Sequence, residues 1–385
     1  MELENIHVVA LGGFLVAVVF GAVANKTNFC TMGAVSDWVN MGDKRRLRAW
    51  FLAIGVAIVG AQTLQAIGYF DLGESIYLTP NFGWLGHLLG GLLFGIGMTL
   101  GSGCGQRTLV RVGAGNLKSL VVMLMLGITA YMTLRGLLAL LRVNVIELTN
   151  VDLTSYALQA QGMADVIAAV SGFVNIKLIS VVTAAIVGLA FVIFAFASAD
   201  FRRSFDNLLA GFVVGLCVVA GWYITGVVGF DEFEPVRFES YTFVAPVGNN
   251  LQYLMTFTGS TIGFGIAAVF GVIVGSFVYA LCSGNFRIET FTSRGDMIRH
   301  IIGGVLMGFG GVIALGCTIG QAVTGMSTLA IGPVITLVTI IFGSALTMKV
   351  EYYLLDNRGF LNALHAALAD LRVLPRTGKK VTVGR

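Results

Sequence analysis

Nine apolar segments constrain this chain more than any other feature, because each is close to the roughly 20 residues that a helix needs to cross a bilayer. They occupy residues 6–24, 49–69, 84–100, 117–138, 178–198, 206–221, 257–281, 300–316 and 329–348. Only 11% of the 385 residues are charged, whereas soluble domains carry roughly a quarter. The sequence therefore predicts an all-α integral membrane protein with nine transmembrane helices.

The basic residues predict how these helices are oriented. With nine spans, all but four of the 24 Lys and Arg residues fall on one side of the membrane, and the exceptions are Arg135, Arg142, Lys177 and Arg237. Cytoplasmic loops carry an excess of basic residues. We therefore expect a periplasmic N-terminus and a cytoplasmic C-terminus in a bacterial inner membrane. The acidic start MELENIH is unlike a cleavable signal, so the first apolar segment is expected to be the first span.

An internal repeat links two parts of the sequence. HLLGGLLFGIGMTLGSGC (87–104) aligns without a gap to HIIGGVLMGFGGVIALGC (300–317), with eight identical positions that include five glycines. The first copy crosses inward in the predicted topology and the second crosses outward, which indicates inverted, pseudo-symmetric halves. The expected organisation is a first half at 1–141, an extracytoplasmic connection at 142–177, a second half at 178–349 and a cytoplasmic amphipathic, basic tail at 350–385.

Four stretches that follow spans are rich in Gly, Asn, Thr or Ser, where a helix would need stronger helix formers. They are residues 25–34, 101–116, 220–229 and 316–327. Non-helical backbone at membrane depth is tolerated only where it is buried in protein or lines a cavity. We predict four re-entrant loops that meet near the midplane. Short helices starting there would direct N-terminal amides, which favour an anion, at the centre.

Three of the five cysteines, Cys30, Cys104 and Cys317, lie in these stretches, whereas Cys217 and Cys282 lie in spans and are interpreted as small core residues. A thiol is small, polarizable and a weak donor, which suits a soft sulfur atom. The three loop thiols would line one path in series. The spacing of the cysteines fits neither a disulfide framework nor a CxxC metal site, and neither a metal nor a cofactor is expected.

Polar residues beside the loop cysteines are candidates for a supporting role. Arg107 would offset the charge of an anion in the core, or would only reflect the positive-inside bias, and both interpretations stay open. The amides of Gln106 and Gln321 can donate to substrate oxygens. The remaining candidates are Lys26, Asn28 and Thr318.

The segments NFCTMGAVSDW (28–38), GMTLGSGCGQRTLVR (97–111) and GGVIALGCTIGQAVTGMS (310–327) resemble the YeeE/YedE family of membrane proteins. The resemblance implies a nine-span, hourglass-shaped transporter, not an enzyme, that imports thiosulfate or a closely related sulfur anion. It also implies that Cys30, Cys104 and Cys317 contact the substrate in turn. The third loop, with Trp222, Tyr223 and Thr225, has no thiol in this pattern.

Three alternatives to thiosulfate import remain at this stage. One is a membrane sulfurtransferase with a persulfidated loop cysteine, the second is a selenium-compound transporter of the same fold, and the third is a channel for a small neutral solute. The sequence contains no P-loop motif that would indicate ATP as the energy source for transport. Membrane lipid is an expected partner through leucines of the tail at helical spacing. A cytoplasmic sulfur-carrier protein could also dock there, and no nucleic-acid partner is expected.

Overall fold

The computed structural model describes residues 5–156, 158–172, 175–231, 236–356 and 359–374. Within these ranges, nine helical segments are long and apolar enough to cross a membrane. This confirms the predicted all-α membrane class and its nine spans. The helices are α1 Asn5–Lys26, α2 Thr31–Ser36, α3 Arg45–Ile67, α4 Trp84–Leu100, α5 Gly105–Gly113, α6 Leu117–Arg135, α7 Leu137–Leu141, α8 Met163–Ser171, α9 Ile176–Phe196, α10 Ala199–Arg202, α11 Phe205–Tyr223, α12 Val244–Met255, α13 Phe264–Cys282, α14 Arg294–Ile313, α15 Ile331–Leu355 and α16 Phe360–Asp370.

Shorter elements complete the described fold. The π-helical turns are Asp37–Met41, Arg142–Ile146, Ile224–Val228 and Thr318–Gly325. The 3₁₀ turns are Leu72–Glu74, Glu147–Thr149, Leu153–Tyr156 and Phe257–Gly259. Strands β1 (Asn81–Phe82) and β2 (Val151–Asp152) pair antiparallel, which ties the predicted connection at 142–177 to the loop before α4.

The seventh and eighth spans begin furthest from their predicted starts. The seventh starts at Phe264 and not at 257, because a 3₁₀ turn occupies Phe257–Gly259. The eighth starts early, at Arg294, because Ser293 caps it by accepting a hydrogen bond from the Asp296 amide at 3.1 Å. Serine at this position satisfies a backbone amide that would otherwise have no partner.

Small residues allow the central helices to pack closely. Gly90 of α4 faces Gly310 of α14, and Gly97 faces Gly303, so these two helices cross antiparallel. By contrast, α4 runs parallel to α15. His87 bonds the Thr336 hydroxyl at 2.8 Å and Thr99 bonds the Ser344 hydroxyl at 2.9 Å, two pairs that advance together along both helices.

The remaining long helices also associate in parallel pairs. Helix α1 packs along α13, where Gly13 faces Phe264 and Asn25 donates to the Ser276 hydroxyl at 2.9 Å. Helix α3 packs along α11, and α6 packs along α14. Helix α9 lies at the periphery against α3 and α8, and only 22% of its apolar stretch is buried.

The tail forms one described helix, α16, which packs against α15 through Ala363 and Ala367. The Tyr353 hydroxyl donates to the Asp370 carboxylate at 2.6 Å. The tail is therefore helical at this point, with Phe360 and Leu361 exposed, and its predicted membrane-facing role stays a prediction. The basic end of the predicted tail, at 375–385, lies outside the described residues.

Candidate functional site

The helices that precede the three loop cysteines end in the same turn. The residue two positions before each cysteine has a left-handed backbone, which non-glycine residues rarely adopt. The next amide then donates back to a carbonyl five residues earlier, which is the Schellman arrangement that ends a helix. The left-handed residues are Asn28 (φ 51°), Ser102 (φ 58°) and Leu315 (φ 60°). The returning bonds join Phe29 to Ala24 at 3.2 Å, Gly103 to Met98 at 2.9 Å and Gly316 to Gly311 at 2.8 Å.

Each cysteine then caps the helix that follows. Cys30 caps α2, Cys104 caps α5, and Cys317 caps the π-helical turn Thr318–Gly325. The Cys30 sulfur accepts a hydrogen bond from the Gly33 amide at 3.5 Å, and the Cys317 sulfur accepts one from the Gly320 amide at 3.4 Å. The turn ends one helix and the cap begins the next, so each thiol lies beside a helix N-terminus.

The three breaks bring their thiols into one cluster. The Cys30 and Cys104 side chains interact with each other, and the Thr31 hydroxyl donates to the Cys104 sulfur at 3.9 Å. Cys317 approaches from the other half of the chain, since a Cβ placed on Gly105 would lie 3.9 Å from its Cβ. All three side chains are buried, and all five cysteines of the chain carry free thiols.

Four of the predicted supporting residues surround this cluster, and each has a buried polar atom with no hydrogen-bond partner among the described residues. These atoms are Gln106 Nε2, Arg107 Nη1, Thr318 Oγ1 and Gln321 Oε1. The great majority of buried polar atoms in proteins are hydrogen-bonded. Four such atoms beside three thiols indicate a place for a polar ligand.

Asn28 positions Arg107, whereas Lys26 lies elsewhere. The Asn28 amide oxygen accepts a hydrogen bond from Arg107 Nη2 at 2.7 Å. The Lys26 ammonium lies over the Phe205 ring, 5.6 Å from its centre. Arg111 donates to the Ser102 carbonyl at 2.9 Å and so supports the turn before Cys104. The structure therefore groups Arg107 and Asn28 with the thiols and places Lys26 against α11.

The prediction of a loop at 220–229 is wrong. Helix α11 runs to Tyr223 and continues as the π-helical turn Ile224–Val228. Trp222 is buried and donates to the Ser327 hydroxyl at 3.0 Å. The Thr225 hydroxyl donates to the Glu239 carbonyl at 2.7 Å and so ties this helical stretch to the segment that follows it.

The break in this part of the chain comes later than predicted. An extended segment at 236–243 leads to α12, whose N-cap is Phe243. Phe243 thus occupies the position that a cysteine holds at the other three breaks. The same segment brings Thr242 beside Cys317, a neighbour that sequence analysis did not identify. No repeat or motif in the sequence singles out Thr242.

A cavity of about 380 Å³ opens next to the Cys317 break and is called the Gly316 cavity. Burial raises the pKa of Glu239 in its wall, and the charge of Arg237 opposes that shift. Arg135 lies in the same wall, so the two guanidinium groups outnumber the one carboxyl group. The lining includes Tyr77, Arg135, Trp222, Arg237, Thr242 and Gly316.

A larger cleft of about 880 Å³, the Phe205 cleft, lies at the opposite end of the bundle. Helix α1 ends with Lys26 beside this cleft, at Phe205. Helix α13 runs parallel to α1 and begins at the Gly316 cavity, so the two openings lie at opposite ends of these helices. The Arg45 guanidinium holds the pKa of Asp43 below its usual value. The charged lining comprises Lys44, Arg45, Arg48 and Arg203 with Asp43, Asp200 and Asp206.

Comparison with known proteins identifies the family of this chain. The sulphur transport family matches residues 26–346, a range that contains all three clustered thiols. The chain belongs to the sulphur transport family. Membership confirms the resemblance to YeeE/YedE proteins, and it assigns the chain to transporters and not to enzymes.

Two curated relatives support this assignment at modest identity. The thiosulfate transporter TsuA of Escherichia coli is 27% identical over 339 residues, covering 83% of this chain and 88% of the relative. The thiosulfate transporter TsuA of Spirochaeta thermophila is 25% identical over 337 residues, covering 86% and 96%. The similarity therefore extends over nearly the whole length of both family members.

Proposed function

We propose that this member of the sulphur transport family carries thiosulfate, or a closely related sulfur anion, into the cell along a path lined by Cys317, Cys104 and Cys30. The observation that carries the proposal is the cluster of three buried thiols among unpartnered polar atoms. The names of both relatives support thiosulfate as the substrate.

The chemistry of the cluster fits an anion with a soft and a hard end. Thiols donate weakly to a sulfur atom, and the unpartnered donors of Gln106, Arg107 and Thr318 suit oxyanion oxygens. Charge-assisted hydrogen bonds are about twice as strong as neutral ones, which gives Arg107 the largest single role in offsetting the anion's charge. A selenium analogue of the same shape also has a soft chalcogen atom at one end and oxyanion oxygens at the other.

We infer that the path lies between two inverted halves. In this scheme each of six elements in the first half has a counterpart in the second half. The pairs are α1 with α11, α2 with α12, α3 with α13, α4 with α14, α5 with the Thr318–Gly325 turn, and α6 with α15. The contacts support it, since α1 with α13 mirrors α11 with α3, and α4 with α15 mirrors α14 with α6. The antiparallel crossing of α4 and α14 also fits inversion. Helix α9 has no counterpart, so the repeated part of the second half begins at α11.

We infer that the two openings face opposite sides of a bacterial inner membrane. The Phe205 cleft is lined by four basic and three acidic residues, and an excess of basic residues is typical of the cytoplasmic side. The Gly316 cavity would then face the periplasm, and the anion would meet Cys317 first. The re-entrant breaks would hold the thiols near the midplane, where helix N-termini and Arg107 offset the negative charge.

Uptake of radiolabelled thiosulfate into proteoliposomes tests the proposal. We expect the Cys104→Ala variant to lose most of the uptake, because Cys104 is the central thiol. The matched control is Cys217→Ala, which removes a buried thiol that lies outside the three breaks and donates to the Val16 carbonyl of α1 at 3.9 Å. Equal uptake by wild type and Cys104→Ala would contradict the proposed path.

Mass spectrometry after exposure to thiosulfate addresses the sulfurtransferase alternative. Passage through hydrogen bonds alone leaves Cys104 and Cys317 unmodified during turnover. A persulfide that forms on either cysteine and is needed for turnover would instead favour sulfur transfer.

A further inference from the structure

Thr242 stands where the Gly316 cavity meets the thiol cluster. Its side chain lines the cavity and interacts with the Cys317 thiol. A Cβ on Gly320 would lie 2.9 Å from the Thr242 Cβ, and the Gly320 amide itself donates to the Cys317 sulfur. Thr242, Gly320 and Cys317 are therefore mutual neighbours at one end of the proposed path.

The Thr242 hydroxyl is buried but bonds no nitrogen or oxygen among the described residues. The extended segment that carries it is held by other groups. The Thr225 hydroxyl donates to the Glu239 carbonyl at 2.7 Å, and the Thr324 hydroxyl donates to the Tyr241 carbonyl at 2.7 Å. Since the backbone on this side of Thr242 is fixed without its hydroxyl, and sulfur is a weak acceptor, the hydroxyl can exchange its contact with the Cys317 sulfur for one with a ligand oxygen.

We propose that Thr242 is a specificity-determining residue that contacts the substrate at the first thiol. Its hydroxyl donates to an oxygen of the anion while the Cys317 thiol faces the sulfur. The inference rests on the proposed function and extends it to a residue outside the three cysteine motifs. The ligand class is an anion that carries both a terminal sulfur or selenium and oxyanion oxygens.

The pairing of these two groups separates ligands by chemistry. Thiosulfate engages both the thiol and the hydroxyl, whereas hydrosulfide has no oxygen for Thr242 to bind. A site built to hydrogen-bond a substrate group is left with an unpaired polar atom when the substrate lacks that group. Removing the hydroxyl should thus weaken the binding of thiosulfate and leave the binding of hydrosulfide unchanged.

The test compares Thr242→Val, which is nearly isosteric but lacks the hydroxyl, with Thr242→Ser, which keeps it. Calorimetric titration of the purified protein with sodium thiosulfate gives Kd, and uptake into proteoliposomes gives KM and the maximal rate. We expect Thr242→Val to raise Kd and KM about tenfold, the effect of losing one hydrogen bond to a charged group. Thr242→Ser should restore both values.

Two controls separate substrate contact from a structural role. Thr261→Val removes a hydroxyl from the same cavity and should leave Kd unchanged. Hydrosulfide should inhibit thiosulfate uptake by wild type and Thr242→Val with the same inhibition constant. If Thr242→Val weakens the binding of both anions equally, or lowers only the maximal rate of uptake, the hydroxyl has a structural role. The inference is then overturned.

The outcomes also distinguish this inference from the function on which it rests. If the wild type neither binds nor carries thiosulfate, the proposed function fails and the Thr242 inference fails with it. If the wild type does both and Thr242→Val matches it in Kd and KM, only the role of Thr242 is wrong.

Discussion

At the scale of single residues, the site depends on a turn and a cap that recur at three breaks. Asn28, Ser102 and Leu315 share no chemistry, yet each adopts the left-handed backbone two residues before a cysteine. The backbone geometry is therefore set by its hydrogen bonds, not by a preference for glycine. What the three sites share in sequence is the cysteine, whose sulfur lies at the start of a helix.

Arg107 provides the sharpest test at this scale. We expect Arg107→Gln to lower thiosulfate uptake about tenfold, because the variant loses a charged donor to the anion. Asn28 holds one end of the guanidinium while Nη1 has no partner among the described residues. Arg203→Gln, which removes a basic residue from the Phe205 cleft, is the control for an effect of charge alone. Equal uptake by both variants would show that Arg107 contributes only to the excess of basic residues that orients the protein in the membrane.

At the scale of elements, sequence reasoning identified the long spans and the cysteine breaks but missed α12. The spans were visible because an apolar run of about 20 residues has few other interpretations. The breaks at Cys104 and Cys317 were visible because the two copies align. Helix α12, VAPVGNNLQYLM, contains Pro, Gly and two Asn within 12 residues. Its local sequence predicts a loop, and packing against α6 outweighs that preference.

That packing explains the error at the fourth break. Gly127 of α6 faces Val247 and Leu251 of α12, with no side chain to hold the two helices apart. Such a contact between distant segments leaves no periodic signal in a single sequence. The same reason hid Thr242, which reaches Cys317 on a segment held by hydrogen bonds from distant residues such as Thr324.

The close contact between α4 and α15 leads to a stability prediction. A Cβ on Gly91 would lie 2.9 Å from the Thr336 carbonyl oxygen and 3.1 Å from the Thr339 Cβ. Gly91→Val should destabilise the protein by about 1–3 kcal/mol, the typical cost of overpacking, and lower Tm in detergent. Gly259→Val is the control, because a Cβ there meets no atom within 4 Å. The same Tm for both variants would mean that α4 and α15 adjust without cost.

At the scale of the whole molecule, the proposed inverted scheme pairs six elements of one half with six of the other, but the chemistry of the two halves is unequal. Cys30 and Cys104 belong to the first half and Cys317 to the second, where Phe243 occupies the fourth cap. In that scheme the repeat supplies the arrangement of helices. The residues that differ between equivalent positions of the two halves determine on which side of the molecule the thiols lie.

The orientation of the molecule can be tested with its exposed cysteine. Cys282 is the last residue of α13 and is exposed, whereas the other four cysteines are buried. We expect a membrane-impermeant maleimide to label the wild type in inside-out vesicles but not in intact spheroplasts, since the proposed orientation, which follows the basic residues, puts this end in the cytoplasm. Cys282→Ser should abolish the label. Labelling of spheroplasts would reverse the proposed orientation.

The unequal distribution of thiols has a kinetic consequence. In the proposed path, an anion arriving from the Gly316 cavity meets one thiol, whereas an anion arriving from the opposite side meets two neighbouring thiols and a guanidinium group. The half-saturating concentrations for influx and efflux should therefore differ, with the lower value on the side of Cys30. At equilibrium a passive carrier cannot favour either direction, so the maximal rates must differ by the same factor, and tighter binding on the inner side implies slower efflux at saturation. A nearly symmetric scaffold can in this way act as a kinetically one-sided carrier without an energy source.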